Sequence, residues 1–230
     1  MPQLLHVTFK ALGEPPLRLE GRLHRPEPLA AACGACLLLP PHPMFGGTMD
    51  TWLLPGIATR LASDGWTVLR MNFRGVGASE GESTDGSGEV LDALGALAFL
   101  DEVAGPPEPA QNLRRAVIGW CFGALVGLLL AEHDAAVTVT DWVGIGPPTR
   151  RLKAIPFTEP PYQALPGWRA RRCVIVGEFD QLYPPGSVAV LDPDVVHVVP
   201  GADHFMADRD EEVVDVVWKA LRTTPTAPLE

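Results

Sequence analysis

The stretch RRAVIGWCFGALVG, residues 114–127, predicts a strand that passes through a sharp turn into a buried helix. At the turn, GWCFG (119–123) follows the pattern Gly-x-nucleophile-x-Gly, in which small residues leave room for a strained nucleophile. The central residue of the pattern is Cys121. The pattern alone leaves two interpretations: Cys121 is a catalytic thiol, or it is a small residue packed in the core, where cysteine is common.

Strand-like and helix-like segments alternate around this stretch, which predicts an α/β fold with a mostly parallel sheet covered by helices on both faces. We expect one domain over residues 1–230, with about eight strands. The proline-rich segment 147–167 is too short for a large cap domain. The predicted strands are 4–11, 17–24, 35–39, 66–73, 116–119, 137–145, 172–176 and 195–199, and the predicted helices are 48–63, 88–103, 122–133 and 209–222.

The composition excludes several classes of protein. The chain has 230 residues, 47% of them apolar and 20% charged, and a net charge of −10. These values are ordinary for a globular protein, and the negative charge argues against a nucleic-acid partner. The apolar, uncharged run 116–131 is shorter than the roughly 20 residues of a membrane-spanning helix. With four cysteines and no signal peptide, we expect a cytoplasmic monomer or homodimer with no membrane partner.

Two further residues stand where a base and an acid would serve Cys121. Asp180 follows the predicted strand in CVIVGEFD, and His204 follows the next strand in VVHVVPGADHF. The carboxyl ends of parallel strands meet at one edge of a sheet, so we expect the three side chains to converge there. Nucleophilic acyl transfer needs an attacking atom, a base and an acid that orients the base. The order nucleophile, acid, histidine predicts a triad of Cys121, Asp180 and His204.

The neighbouring loops supply candidates for the oxyanion hole and for substrate contact. The amide of Phe122, at the start of the predicted helix, is one expected oxyanion donor. The second is the amide of Met44, in the loop after the strand 35–39. Triad chemistry needs no cofactor and no metal, and we expect neither. The candidate substrate contacts are His42, Phe45, Trp120 and Arg150.

Three other patterns have a structural and a functional interpretation. The spacing Cys33-x-x-Cys36 suits a redox or metal motif, but it leads into a predicted strand rather than a helix. The GVG of 75–77 resembles a dinucleotide fingerprint with a displaced third glycine, and a turn with Arg74 as a structural hydrogen-bond donor also explains it. Six basic residues between 150 and 172 either recognise an anionic substrate or form a solvated loop.

Several motifs together resemble the α/β-hydrolase superfamily over nearly the whole chain. They are PPHPMFGGTMD, NFRGVGASEGE, GWCFGALVG, GEFD and GADHF. The group they resemble is small and lidless, with HPHPxxGG, FRGVGxSxG and GxSxGA motifs. This resemblance implies the α/β-hydrolase fold and a carboxylesterase-like activity, although Cys121 stands where that group carries serine. Dienelactone hydrolases are similar in fold and size and use cysteine in a GxCxG elbow, which implies that a Cys-His-Asp triad works on this scaffold.

The combined expectation is a hydrolase that cleaves an ester, thioester or lactone of a small molecule through an acyl-enzyme on Cys121. The same triad would also serve an acyltransferase or a cyclase. A non-catalytic binding protein on a hydrolase scaffold is the alternative from another class, and the retained Asp180 and His204 argue against it. The sequence also allows Cys121 to be an engineered replacement of serine.

Overall fold

One eight-stranded sheet organises the chain. The computed structural model describes residues 2–27, 33–104, 114–133, 138–151 and 158–222, and within them the strand order is β1-β2-β4-β3-β5-β6-β7-β8. The strands are β1 (Gln3–Lys10), β2 (Arg18–Arg25), β3 (Gly34–Leu39), β4 (Trp66–Met71), β5 (Arg114–Trp120), β6 (Asp141–Ile145), β7 (Arg171–Gly177) and β8 (Val195–Val199).

The sheet is antiparallel at one side and parallel elsewhere. β1 pairs antiparallel with β2, and β2 pairs antiparallel with β4. All other neighbours are parallel, with Leu37 of β3 opposite both Leu69 of β4 and Val117 of β5. Every residue of β3, β4 and β6 is buried, as the continuous apolar runs of a doubly covered parallel sheet require.

Helices cover both faces of the sheet and form two hydrophobic cores. They are α1 (Leu53–Ser63), α2 (Glu89–Ala104), α3 (Phe122–Leu129) and α4 (Asp210–Arg222). α1 and α4 pack together on one face, and α2 and α3 pack together on the other. The predicted mostly parallel α/β architecture with about eight strands is confirmed.

Some boundaries differ from those predicted. α1 begins at Leu53 rather than at residue 48, because residues 48–51 form a turn in which the Thr48 amide donates to Thr51 Oγ1 at 2.9 Å. β6 begins at Asp141, and residues 134–137 lie outside the described part. Between β6 and β7 the described residues carry one short 3₁₀ helix, Leu165–Gly167, and no cap. No helix among the described residues is long and apolar enough to cross a membrane.

The C-x-x-C spacing and the 75–77 segment, which each had a structural and a functional interpretation, have structural roles. Cys36 lies buried in β3, and the exposed Cys33 precedes that strand, so the C-x-x-C spacing does not open a helix. The 75–77 segment is a turn, in which Gly75 and Gly77 have positive φ. Beside it, Arg74 Nη2 donates to the fully buried Asp92 Oδ1 at 2.7 Å, as predicted for a structural hydrogen-bond donor.

Candidate active site

The turn between β5 and α3 holds Cys121 in a strained conformation. Its φ of 50° and ψ of −111° lie outside the regions that L-residues prefer. The backbone is fixed from both sides, since the Cys121 amide donates to Ile145 O at 2.8 Å and its carbonyl accepts from Ala124. A Cβ on Gly119 would lie 2.3 Å from the Ala124 nitrogen, and one on Gly123 would lie 2.3 Å from Leu39 O. Both glycines are therefore needed for this turn.

A carboxylate holds the imidazole of His204 in one orientation. Asp180 Oδ2 lies 2.8 Å from His204 Nδ1, and both side chains are buried. The other carboxylate oxygen, Asp180 Oδ1, accepts from the amides of Leu182 at 2.9 Å and Tyr183 at 2.8 Å. Asp180 follows β7 and His204 follows β8, so two neighbouring parallel strands bring the acid and the base together.

The imidazole also interacts with Cys121. Burial alone would lower the pKa of His204, but its hydrogen-bonding and electrostatic interactions with the side chains of Asp180 and Cys121 raise it to about 10. The protonated imidazole is thus the favoured form at neutral pH. An imidazolium beside a cysteine stabilises the thiolate, which is the nucleophilic form of the side chain.

Gly146, the first residue after β6, provides the space for the imidazole. Its φ is +53°, and a Cβ at this position would lie 3.2 Å from both Cε1 and Nδ1 of His204. The same Cβ would lie 3.6 Å from Asp180 Oδ2. A side chain here would therefore crowd the contact between acid and base.

The other described thiols lie in different surroundings. Cys36 and Cys173 are buried in strands, and burial raises the pKa of both thiols, that of Cys173 to about 11. Cys33 is exposed at the opposite end of the sheet from Cys121, before β3 rather than after it. Cys121 is half-buried and is the described cysteine whose hydrogen bond raises the pKa of a histidine.

A cavity of about 350 Å³ lies against Cys121 and His204. Its walls come mainly from the loop after β3, the start of α1, the end of β5 and the loops after β7 and β8. The lining residues are Pro41, His42, Phe45, Gly46, Gly47, Thr51, Trp52, Trp120, Cys121, Leu182, Tyr183, His204 and Phe205.

Three of the four predicted substrate contacts line this cavity. His42 and Trp120 are buried, whereas Phe45 is mostly exposed at the rim. Arg150 is exposed and is not part of the wall, although its charge acts on Tyr183. The structure therefore does not bring Arg150 to the cavity.

Two of the other basic residues of 150–172 have structural ion pairs, and Arg151 and Arg169 are exposed. Arg171 pairs with Asp141 at 3.1 Å, and Arg172 pairs with Asp192 at 2.9 Å, so both stabilise the fold. Lys153 lies outside the described residues.

The two predicted oxyanion donors differ in their surroundings. Phe122 is the first residue of α3, directly after Cys121, and its ring packs 4.4 Å from that of His42. Met44 has a side chain 60% exposed and is not part of the cavity wall. Its amide donates to His42 Nδ1 at 3.1 Å, so it is already engaged.

Among the wall residues that sequence reasoning missed, four have large side chains: Trp52, Leu182, Tyr183 and Phe205. Three of them adjoin the predicted acid or base in the chain, so their nearness to Asp180 and His204 was a usable signal. Trp52 carries no such signal. It reaches the site through the turn before α1 and packs edge-on against Trp120, with ring centroids 4.7 Å apart.

Comparisons with known proteins agree with this geometry. A relative in Rickettsia prowazekii (strain Madrid E), an uncharacterized protein, is 29% identical over 205 residues, which are 85% of this chain and 80% of the relative. A structure from Agrobacterium tumefaciens, a protein of unknown function, is 26% identical with a TM-score of 0.75 and 94% coverage of both chains. A Xanthomonas campestris α/β serine hydrolase without a lid is 25% identical, with a TM-score of 0.71, covering 96% of this chain and 97% of its own.

A family model matches the part of the chain that contains the elbow and the acid. The match runs over residues 36–189, which is more than half of the chain, and its description is the alpha/beta hydrolase family. The sheet order, the strained elbow after β5 and the acid–histidine contact after β7 and β8 all lie where this fold carries its active site. The chain therefore belongs to the alpha/beta hydrolase family.

Proposed function

We propose that this chain is a cysteine-dependent hydrolase that cleaves an ester, thioester or lactone of a small molecule. The observation that carries the proposal is the 2.8 Å contact of Asp180 with His204, together with Cys121, which lines the same cavity as the imidazole and sits at a strained strand-to-helix turn. A cysteine that only packs in the core has no need of a buried acid and base aligned on it.

The proposed reaction has two halves. Cys121 Sγ attacks the carbonyl carbon, and the electron pair of the C=O bond moves to oxygen, which becomes an oxyanion. When the oxyanion collapses, the bond to the leaving oxygen or sulfur breaks, and His204 gives its proton to that atom. Water then attacks the resulting thioester while His204 takes its proton, and collapse releases the carboxylic acid and restores Cys121.

The oxyanion needs donors at the start of α3 and in the loop after β3. The amide of Phe122 is the first, since the helix N-terminus adds its dipole to the hydrogen bond. Met44 remains the predicted second donor. The Met44 amide donates to His42 Nδ1 at 3.1 Å. It can serve the oxyanion only if it gives up that hydrogen bond and donates to the oxyanion instead.

An activated ester tests the proposal directly. With 4-nitrophenyl acetate we expect a burst of nitrophenolate and an acetyl group on Cys121, detected by intact mass and peptide mapping. Cys121→Ala abolishes both signals, whereas Cys33→Ala, which removes an exposed thiol outside the cavity, changes neither. An unmodified Cys121 together with no turnover would reject a hydrolase and favour the binding protein. Acetyl transfer from Cys121 to an added alcohol or thiol in preference to water would favour the acyltransferase.

A further inference from the structure

The walls of the cavity carry almost no charge. Of its lining residues in the described part of the chain, none is Asp, Glu, Lys or Arg, and five are large apolar side chains: Phe45, Trp52, Trp120, Leu182 and Phe205. The one cation among these lining residues, the His204 imidazolium, is already paired with Asp180 at 2.8 Å, so an anionic group placed there would lose its hydration without gaining an unpaired cation, which is costly. The chain's net charge of −10 further disfavours binding of an anionic group.

The two sides of the cavity have different tasks in the proposed reaction. The leaving atom must lie within reach of His204, which protonates it, so the leaving group occupies the side formed by Phe205 and Leu182. The acyl group is then left to the wall formed by Trp120, which directly precedes Cys121, and by Trp52, which packs edge-on against Trp120 at 4.7 Å. This assignment follows from the position of the imidazole.

The rim extends the apolar surface to solvent. Phe45, Trp52 and Phe205 line the cavity yet are 64%, 51% and 54% exposed. Exposed aromatic side chains gathered at the mouth of a cavity favour contact with an apolar ligand, which removes their surface from water. The volume of about 350 Å³ is near the lower end of ligand sites, roughly 300–1,000 Å³.

We infer that the site accepts a neutral, apolar acyl group no larger than a medium alkyl chain or one aromatic ring, packed against Trp52 and Trp120, and rejects acyl groups with a carboxylate. The inference rests on the proposed function and adds the class of substrate. It also assigns no substrate-binding role to Arg150, which lies outside the wall.

A matched pair of substrates tests the charge selection. 4-Nitrophenyl hexanoate and the mono-4-nitrophenyl ester of adipic acid have acyl chains of equal carbon number, and the second carries a carboxylate in place of the terminal methyl. We expect kcat/KM to be at least about 100-fold higher for the hexanoate, as an unpaired charge in an apolar cavity requires. Equal rates would overturn the inference. So would a preference for the adipate ester that Arg150→Ala removes.

Two rim variants test which side holds the acyl group. In Trp52→Ala we expect the ratio of kcat/KM for hexanoate over acetate to fall about tenfold, because part of the acyl wall is lost. In Phe205→Ala the same ratio stays within about twofold, since this ring faces the leaving group. Trp218→Ala, in α4 and away from the cavity, is the matched control. A fall in the ratio in Phe205→Ala but not in Trp52→Ala would overturn the assignment.

Failure of this inference is distinguishable from failure of the proposed function. Acetylation of Cys121 by 4-nitrophenyl acetate reports the function and does not depend on chain length or charge. If Cys121 is acetylated and hydrolysed but adipate and hexanoate esters react alike, only the substrate class is wrong.

Discussion

At the scale of single residues, the proposed function makes the reactivity of Cys121 depend on the charge of His204. Asp180 and Cys121 together outweigh burial and hold the pKa of His204 at about 10. The imidazole is therefore charged below about pH 10 and becomes neutral above it. Under the proposed function, this charged imidazole holds the proton that the leaving atom needs.

Removal of the Asp180 charge tests this dependence. In Asp180→Asn the carboxylate that raises the pKa of His204 is lost, so we expect the imidazolium to lose its proton at a lower pH. The rate of Cys121 alkylation by iodoacetamide at pH 7 should then fall by about tenfold. The increase of this rate with pH should occur at more alkaline pH than in the wild-type chain. The measurement is the alkylation rate against pH, followed for each cysteine peptide by mass spectrometry.

The chain supplies an internal control for that measurement. Cys33 is exposed, its thiol donates to Asp64 O at 3.2 Å, and it lies before β3, at the end of the sheet away from Cys121. Its alkylation rate should be the same in the wild-type chain and in Asp180→Asn. Equal rates for Cys33 and Cys121 at pH 7 in the wild-type chain would contradict an activated Cys121.

At the scale of elements, the elbow depends on a close approach between the backbones of α3 and β3. The start of α3 passes so near the end of β3 that a Cβ on Gly123 would lie 2.3 Å from Leu39 O and 2.5 Å from Pro40 O. Backbone carbonyls in a buried strand cannot move aside as a flexible side chain can. The position of Cys121 therefore depends on the spacing between α3 and β3.

Gly123→Ala tests this spacing. The added methyl forces α3 away from β3, and we expect a loss of about 2 kcal/mol or more in the free energy of unfolding and a fall in the rate of Cys121 acylation. Urea denaturation measures the first effect. Gly186→Ala is the matched control, since its Cβ would meet nothing within 4 Å, and it should change stability by less than about 1 kcal/mol. Equal effects of the two substitutions would contradict the close approach.

Much of the element layout could be predicted from sequence, because apolar runs and turn residues have local signatures. β8 was predicted with the observed ends, and the elbow was predicted from its two glycines. The start of α1 was predicted too early, because the turn at 48–51 depends on a hydrogen bond that the Thr48 amide donates to the Thr51 side chain. The contact of Trp52 with Trp120 could not be predicted either, as it joins the start of α1 to the end of β5.

At the scale of the whole molecule, one buried carboxylate joins segments that are distant in sequence. Asp141, in β6, is fully buried and pairs with Arg114 of β5 and Arg171 of β7. The same two guanidiniums donate to the carbonyls of Leu221 and Ala220 at the end of α4. The cluster thus ties the last helix to three neighbouring strands.

Asp141→Asn should therefore destabilise the fold as a whole. Breaking a buried ion pair by removal of one partner costs about 3–5 kcal/mol, because the remaining charges lose their counter-ion. Urea denaturation should show that loss. Asp215→Asn is the control, since it removes the exposed pair with Lys219 on α4, worth about 0.5 kcal/mol or less. A loss below 1 kcal/mol in Asp141→Asn would contradict the role of the cluster.

The global arrangement of the site was more predictable than its walls. Cys121, Asp180 and His204 each follow a parallel strand, and the geometry of such a sheet brings those positions to one edge whatever the intervening loops do. The placement of Met44 and Arg150 depends on loop conformation, which has no comparable rule. Both lie outside the cavity wall, and the hydrogen bond of the Met44 amide to His42 could be found only from the structure.

The space left by Gly146 bears on how related sequences are interpreted. Since a Cβ there would lie 3.2 Å from the His204 ring, a larger residue at this position would push the imidazole away from Asp180. A relative could then keep the cysteine, the aspartate and the histidine and still have lost the contact that makes them a triad. Under the proposed function, a survey of relatives that inspects only those three positions would count such proteins as active. The residue after β6 is the additional position to inspect.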